Sequence, residues 1–314
     1  MLSTNKQKLF GLAGLIALTA LTAIARATPA GAGSEMYSVE KNGVSVVLVG
    51  IRHGSATAPP PPVMRALFER ATVIMPEFDM TDPARRSTAS NELRHGNALA
   101  AQQYLNAEEL GVVHAAWVRK LNGKAAMTAD TLGQMHACGI SLFLLPSYAK
   151  PPPVNAPTRF PPWEFAFVSE AKARGKSIVE LEPHGSLTVC GALPREHVRA
   201  LLLDAAKLGF DDRGREEYFR KSALGKRSQE SGNGQAAYAH MLDAISFSES
   251  YKAAFIAYMT IRNKAMAEVI EIEHAKLAAP ASGFALVGAL HFHGDTGLLA
   301  LLTKKGFLIK RIST

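Results

Sequence analysis

The chain has 314 residues, a formal net charge of +8 and 47% hydrophobic residues. That length is enough for one large α/β domain, or two small ones, with a well-buried core. The basic residues are scattered and no nucleic-acid-binding motif accompanies them, so we expect no nucleic-acid partner. The two cysteines do not form a Cys-x-x-Cys motif, which gives no support to a thiol redox enzyme or a structural zinc site.

Residues 1–27 have the pattern of a secretory signal. A short basic region, an uncharged apolar run and a small-x-small triplet ending at Ala27 follow one another in the required order. We expect the mature chain to begin at Thr28, to form one domain over residues 28–314, and to be periplasmic or secreted. The rival interpretation is an uncleaved anchor, because the apolar run approaches the ~17 residues that span a bilayer. Only in that case would the protein contact a membrane.

Cys138 and Cys190 have two interpretations. In an exported protein, an even number of cysteines suggests a disulfide. Two cysteines this far apart in sequence can also be separate buried thiols. The sequence leaves both interpretations open.

Residues 43–55, GVSVVLVGIRHGS, begin the first recognisable unit. An apolar, β-branched run ends at Gly50, and His53 follows three residues later. A proline-rich link, a helix at 63–71 and a second strand at 72–80 come next. These elements predict a β-loop-α-β unit of the kind that joins neighbouring parallel strands.

The middle of the chain is predicted to be mostly helical. Residues 95–140 and 193–279 have apolar residues at helical spacing, and a Gly- and Ser-rich stretch at 225–234 interrupts the second range. Residues 140–146, ISLFLLP, fit a buried helix or a strand. Between the two ranges we predict a proline-rich surface loop, a helix and a third strand, at 150–162, 163–175 and 176–183.

The C-terminal segment repeats the arrangement of the first unit. The apolar run at 284–289 predicts a buried strand, and it carries a second Gly-x-x-His motif that ends at His291. A helix at 295–305, with Asp295 as its N-cap, and a last strand at 307–312 complete another β-α-β unit.

Strand-rich ends around a helical middle predict an α/β fold with a central mixed sheet. The N- and C-terminal units would pair in this sheet, which brings the two Gly-x-x-His motifs together. In open α/β sheets, ligands bind beyond the carboxyl ends of the strands. The polar residues that follow strands, and so would share this rim, are His53, Glu77, Glu182 and His291.

Two imidazoles and two carboxylates are a suitable set for a divalent transition metal such as Mn, Co or Zn, with an open position for water. Arg262, on the last long helix, would stabilise the anion formed when water adds to a carbonyl. A metal-free alternative uses one histidine as general base and a glutamate to orient it. His293 would share a side with His291 on an extended backbone and diverge from it if the loop turns. We expect surface or capping positions for the histidines at 95, 114, 136, 184, 240 and 274.

Five segments occur in the order and rough spacing of a known family: YSVEKNGVSVVLVGIRHGSA, ERATVIMPEFD, AKARGKSIVELEP, RNKAMAEVIE and GFALVGALHFHGDTGLLALLTKKGFLIKRI. Over residues 37–312 the chain resembles the TraB/GumN family, which is related to the Tiki proteases and more remotely to ChaN and erythromycin-esterase-like proteins. The resemblance implies an α/β fold and a metal-dependent hydrolytic site, proteolytic in the Tiki branch. Matched position by position, the residues it implies for this site are His53, Glu77, Glu182, Arg262 and His291.

The chain also departs from the family pattern. Pro183 replaces a threonine after Glu182, and Ser186-Leu187 replace a Glu-Gln pair. Arg52 occupies a position that is commonly apolar, and a cation there would oppose metal binding if it pointed inward. His293 is an addition to the pattern.

Two classes of function follow from the resemblance. The first is an exported metal-dependent hydrolase, with a peptidase as the leading case, acting on a peptide or small-molecule substrate. The second is a non-catalytic periplasmic protein that keeps the fold and binds a peptide or regulates a partner. The altered segment after Glu182 favours the second class, and the intact motif residues favour the first.

Overall fold

The computed structural model describes residues 35–51, 59–121, 127–145, 161–183, 185, 187–279 and 281–313. These residues form a mixed six-stranded sheet with helices on both faces and a helical region beside it, which confirms the predicted α/β class. The strands are β1 (Met36–Lys41), β2 (Val44–Ile51), β3 (Val73–Pro76), β4 (Ser177–Ile178), β5 (Ser282–Gly288) and β6 (Leu308–Ile312). Their order across the sheet is β4-β3-β5-β2-β1-β6.

The two ends of the chain pair directly, as predicted. β2 and β5 are parallel neighbours, in register from Ser45 opposite Ser282 to Ile51 opposite Gly288. β3 pairs with the other side of β5, and β4 extends the parallel part of the sheet beyond β3. Apart from one serine near the start of each, β2 and β5 contain only apolar residues and glycine, because helices cover both faces of the sheet.

β1 lies outside the elements predicted from periodicity. It forms an antiparallel hairpin with β2 and also pairs antiparallel with β6. The turn is Asn42-Gly43, and both residues have positive φ, 53° and 75°. Asn-Gly is the preferred sequence for a two-residue hairpin of this type, so the local signal was present in the sequence.

The helices agree with most of the predicted ranges. Their bounds are α1 (Pro62–Arg70), α2 (Pro83–Arg94), α3 (Ala107–Lys120), α4 (Ala129–Gln134), α5 (Ala137–Leu144), α6 (Trp163–Ala173), α7 (Arg195–Leu208), α8 (Asp212–Glu230), α9 (Gly234–Ala244), α10 (Glu249–Lys276) and α11 (Leu298–Lys304). α5 shows that residues 140–144 of the ambiguous ISLFLLP segment are helical. α8 extends into the predicted interruption, which shortens to a turn at 231–233. No helix among the described residues is both long and apolar enough to cross a membrane.

The prediction that Asp295 caps the last helix is wrong. α11 begins only at Leu298, after Gly297 at the N-cap position. Asp295 lies in a tight turn closed by a hydrogen bond from the Gly297 N–H to the Gly294 carbonyl, at 2.9 Å. Gly294 has a φ of +84°, so the chain must reverse here before a helix can start.

The buried apolar residues form three clusters. One face of the sheet packs on α10 and α11 through residues such as Met266 and Leu302, and the other face packs on α1 and α6 through Phe68 and Phe167. The third cluster lies within the helical region, where α3, α5, α7 and α10 meet. The sheet is therefore held between helices on both sides, while its strand ends remain available for polar groups.

A disulfide joins Cys138 to Cys190 inside the helical cluster. Their Cα atoms are 6.3 Å apart, and no other cysteine is present. Both residues are buried. Of the two interpretations that the sequence allowed, the structure has the bridge.

Candidate active site

The predicted polar residues follow neighbouring parallel strands. Glu182 lies just beyond β4, Glu77 follows β3 and His291 follows β5. His53 lies outside the described residues, so its distance from His291 stays a prediction. The strand that leads to it, β2, ends at Ile51 opposite Gly288 and is the direct neighbour of β5.

Backbone hydrogen bonds fix the two carboxylates. The Glu77 N–H donates to the Leu286 carbonyl at 3.2 Å, and the Glu182 N–H donates to the Glu77 carbonyl at 2.9 Å. The ladder thus continues beyond the ends of β3 and β4. Both residues are buried, with exposed fractions of 4% and 6%. The sheet itself, rather than a flexible loop, positions these acids.

Arg262 joins the two carboxylates in a buried ion pair. Its Nε donates to Glu182 Oε1 at 2.6 Å, and its Nη2 donates to Glu182 Oε2 at 2.8 Å and to Glu77 Oε2 at 3.0 Å. Burial alone would lower the pKa of Arg262, but its interactions with Tyr258, Glu182 and Glu77 outweigh burial and raise that pKa. The guanidinium is therefore a permanent, fixed positive charge at the rim.

Glu77 also binds the start of the second Gly-x-x-His motif. Its Oε1 accepts a hydrogen bond from the Gly288 N–H, while Oε2 accepts from Arg262. One carboxylate thereby connects the end of β3, the end of β5 and α10. A change at Glu77 would disturb all three.

The orientation of Asn263 assigns the proton on His291. The Asn263 Nδ2 donates to the Thr296 carbonyl at 2.9 Å, which turns Oδ1 toward His291 Nδ1 at 2.5 Å. An amide oxygen only accepts, so His291 carries a proton on Nδ1, which in a neutral ring leaves the lone pair on Nε2. A neutral imidazole in this form is suited to bind a metal or to accept a proton.

The residues present fit a metal ion in part. The proton on His291 Nδ1 makes Nε2 the ring atom that would bind a metal, and a carboxylate such as Glu77 is a common metal ligand. Glu182 has both oxygens on Arg262, which fits the anchoring of that arginine better than metal binding. Within the described ranges, which omit His53, no group of three or more His, Cys, Asp or Glu residues is arranged to hold a metal.

His291 and His293 diverge. The chain forms a short 3₁₀ turn at Ala289–Phe292, and the two rings have different partners. His293 Nε2 lies 2.7 Å from Glu35 Oε2, just before β1, whereas His291 bonds to Asn263 of α10. Of the alternatives open from the sequence, the turning loop is the one observed.

The sequence also suggested surface or capping positions for the remaining histidines. His136 occupies the N-cap position of α5, although it is buried and makes no side-chain cap bond. His274 is instead buried, and its ring packs edge-on against Phe307. His184 lies outside the described residues. Asn263 and Glu35 are the polar partners that sequence patterns missed, and the only signal for Asn263 was its place beside Arg262.

One protein family matches nearly the whole chain. The model of the TraB/PrgY/gumN family matches residues 36–311, so the chain belongs to the TraB/PrgY/gumN family. Searches of curated proteins and of solved structures gave no significant match.

Proposed function

We propose that this protein is an exported metal-dependent hydrolase, most consistent with a peptidase, whose site lies at the carboxyl ends of β2, β3 and β5. The observation that carries this proposal is the buried Glu77–Arg262–Glu182 ion pair beside the oriented His291. Burying three charged side chains is costly, and charged groups kept in such places are frequently functional. The metal requirement and the peptidase class come from the family resemblance.

Each residue has a defined role in this proposal. His53, Glu77 and His291 would hold a divalent ion such as Mn, Co or Zn. When bound, such an ion would lower the pKa of a water molecule, and the hydroxide that this water forms could attack a carbonyl. Asn263 holds a proton on His291 Nδ1, so that Nε2 is the ring atom that would bind the ion. Glu182 anchors Arg262 so that its guanidinium can stabilise the negative charge of the tetrahedral intermediate.

Export is part of the same proposal. The predicted signal at residues 1–27 lies outside the described residues. The disulfide between Cys138 and Cys190 supports export, because such bonds persist in oxidising compartments. A mass spectrum of protein from its native host should show Thr28 at the N-terminus, and a mature chain that keeps Met1 would contradict cleavage.

A non-catalytic peptide-binding or regulatory protein is the second candidate. The observation that favours it is that Arg262 binds both carboxylates and already uses both oxygens of Glu182 as acceptors. Such a protein would bind its peptide at the same rim and would not cleave it.

Metal analysis and a cleavage assay separate the two candidates. Protein stripped with a chelator is reloaded with Mn²⁺, Co²⁺ or Zn²⁺, and bound metal and hydrolysis of a mixture of labelled peptides are measured. The hydrolase proposal expects about one ion per chain, metal-dependent cleavage, and loss of both in His291→Ala. His240→Ala, a partly exposed histidine outside the site, is the matched control. Absence of metal and cleavage with all three ions would leave the binding protein as the better account.

A further inference from the structure

His293 and Glu35 form a buried pair beside the candidate site. His293 Nε2 lies 2.7 Å from Glu35 Oε2, and the exposed fractions of the two side chains are 7% and 4%. The residues are 258 positions apart in sequence. No role in binding or chemistry proposed above uses either of them.

Glu35 accepts hydrogen bonds from several segments at once. Its Oε1 accepts from the Gly234 N–H at 3.1 Å, at the start of α9, and from the Tyr37 hydroxyl at 3.4 Å. Arg311 of β6 has a guanidinium nitrogen 3.7 Å from the same oxygen. A Cβ atom at Gly234 would overlap the Glu35 carboxylate and the His293 ring, so the helix start fits closely around the pair.

The backbone of Glu35 reaches the first Gly-x-x-His motif. Its carbonyl accepts a hydrogen bond from the Gly50 N–H at 2.7 Å, near the end of β2. Gly50 also packs against the turn after β5, since a Cβ there would lie 3.0 Å from the Phe292 ring and 3.1 Å from Ala289 Cβ. Glu35 thus holds the end of β2 through its main chain and the turn after β5 through its side chain.

The same turn carries His291. Asn263 binds the His291 ring, and the Glu35–His293 contact holds the backbone two residues later. The ring of Phe292, between the two histidines, packs edge-on against Tyr37 at a centroid distance of 5.5 Å. The turn is therefore fixed on the side of α10 and on the side of β1.

We propose that Glu35 and His293 are positioning residues, which set the place of the His291 ring relative to the end of β2. Neither contacts the reacting groups. Their effect on metal affinity rests on the proposed function, whereas their effect on the His291 ring does not. Burial raises the pKa of Glu35, but His293, the Gly234 N–H and Arg311 outweigh burial and lower it, so Glu35 is a charged acceptor at neutral pH.

The test compares His293→Leu with His293→Gln in the full mature chain. Leucine fills the space without a donor, whereas the glutamine amide can donate to Glu35. The matched control is His274→Leu, which removes another buried histidine, one that bonds to the Val44 carbonyl at 3.0 Å at the opposite end of β2. Ring-nitrogen NMR signals of His291, identified by their loss in His291→Ala, are recorded without metal, and Zn²⁺ affinity is measured by calorimetry.

We expect the wild-type protein to show His291 protonated on Nδ1, and His293→Leu to show a mixture of tautomers. The Zn²⁺ affinity of His293→Leu should be reduced about 10–100-fold, which is the usual effect of losing a residue that orients a metal ligand. His293→Gln should restore both readouts, and His274→Leu should change neither.

Unchanged His291 signals in folded His293→Leu would overturn the proposal. If wild type binds none of Mn²⁺, Co²⁺ and Zn²⁺, the metal-dependent function fails and the NMR signals alone decide the positioning role. If His293→Leu does not fold, Glu35→Gln, which keeps the backbone carbonyl, must shift the His291 signals or the proposal is wrong.

Discussion

Arg262 binds Glu182 with two hydrogen bonds, from Nε to Oε1 at 2.6 Å and from Nη2 to Oε2 at 2.8 Å. The exposed fractions of the Arg262 and Glu182 side chains are 12% and 5%, and the second bond of Nη2 extends the pair to Glu77. This network should make the rim of the sheet rigid, because removing one charged side chain would leave its partners buried without the opposite charge.

Removal of Arg262 should therefore be strongly destabilising. Arg262→Leu leaves two buried carboxylates without a compensating charge, and we expect the free energy of unfolding to fall by about 3–5 kcal/mol in urea titrations. Arg220→Leu, which breaks an exposed ion pair with Glu217, is the control and should change little. Equal losses of unfolding free energy in the two variants would show that the buried network stabilises the fold no more than an exposed ion pair does.

Asn263→Leu should affect both stability and the protonation of His291. The substitution removes the acceptor for Nδ1 and the donor to the Thr296 carbonyl, and we expect a loss of about 1–3 kcal/mol with a changed His291 tautomer in ring-nitrogen NMR. Thr260→Val is the control, because Thr260 lies on the same helix and contacts Thr296 rather than His291. A His291 tautomer that survives in Asn263→Leu would contradict the assignment made from the amide orientation.

The disulfide should be complete and stabilising. Thiol titration of unfolded, unreduced protein should find no free thiol, and two after reduction. The bridge closes a loop of 52 residues, so the Cys138→Ala, Cys190→Ala double variant should lose about 4 kcal/mol in the chain-entropy description. Two free thiols before reduction would rule the bridge out.

Ionisation of Tyr37 should lower the stability of the folded protein at alkaline pH. Burial, and then the charge of Glu35, raise the pKa of Tyr37 from 10.0 to about 12. The folded state therefore keeps a proton that the unfolded state loses, so this contribution to stability is fully present below pH 10 and disappears as the pH rises toward 12.

Near-ultraviolet absorbance should follow this titration. The step near pH 12 should vanish in Tyr37→Phe and move to lower pH in Glu35→Gln, because the negative charge beside the phenol is removed. A step that stays in place in Glu35→Gln would contradict the electrostatic part of the explanation.

Much of the fold could be predicted because its signals are local. The apolar runs of β2 and β5 identify buried strands by composition alone, and their place at the two ends of the chain indicated a shared sheet. β1 was missed since its six residues alternate weakly, and its Asn42-Gly43 turn was the better signal. β4 is shorter than predicted, with only Ser177–Ile178 in the strand, although backbone hydrogen bonds to the segment of β3 continue to Glu182.

Some features of the candidate site were also predictable from local sequence signals, and others depended on the tertiary structure. By itself the sequence determined which residues follow the strands, and so brought Glu77, Glu182 and His291 to one rim, because the carboxyl ends of parallel strands share an edge. Tertiary structure alone decided that Glu182 anchors Arg262, that Asn263 fixes the proton on His291, and that Glu35 reaches His293 across 258 positions. Strand and helix periods are short-range properties of a sequence, whereas a hydrogen bond depends on a few tenths of an ångström between groups that only the packed fold brings together.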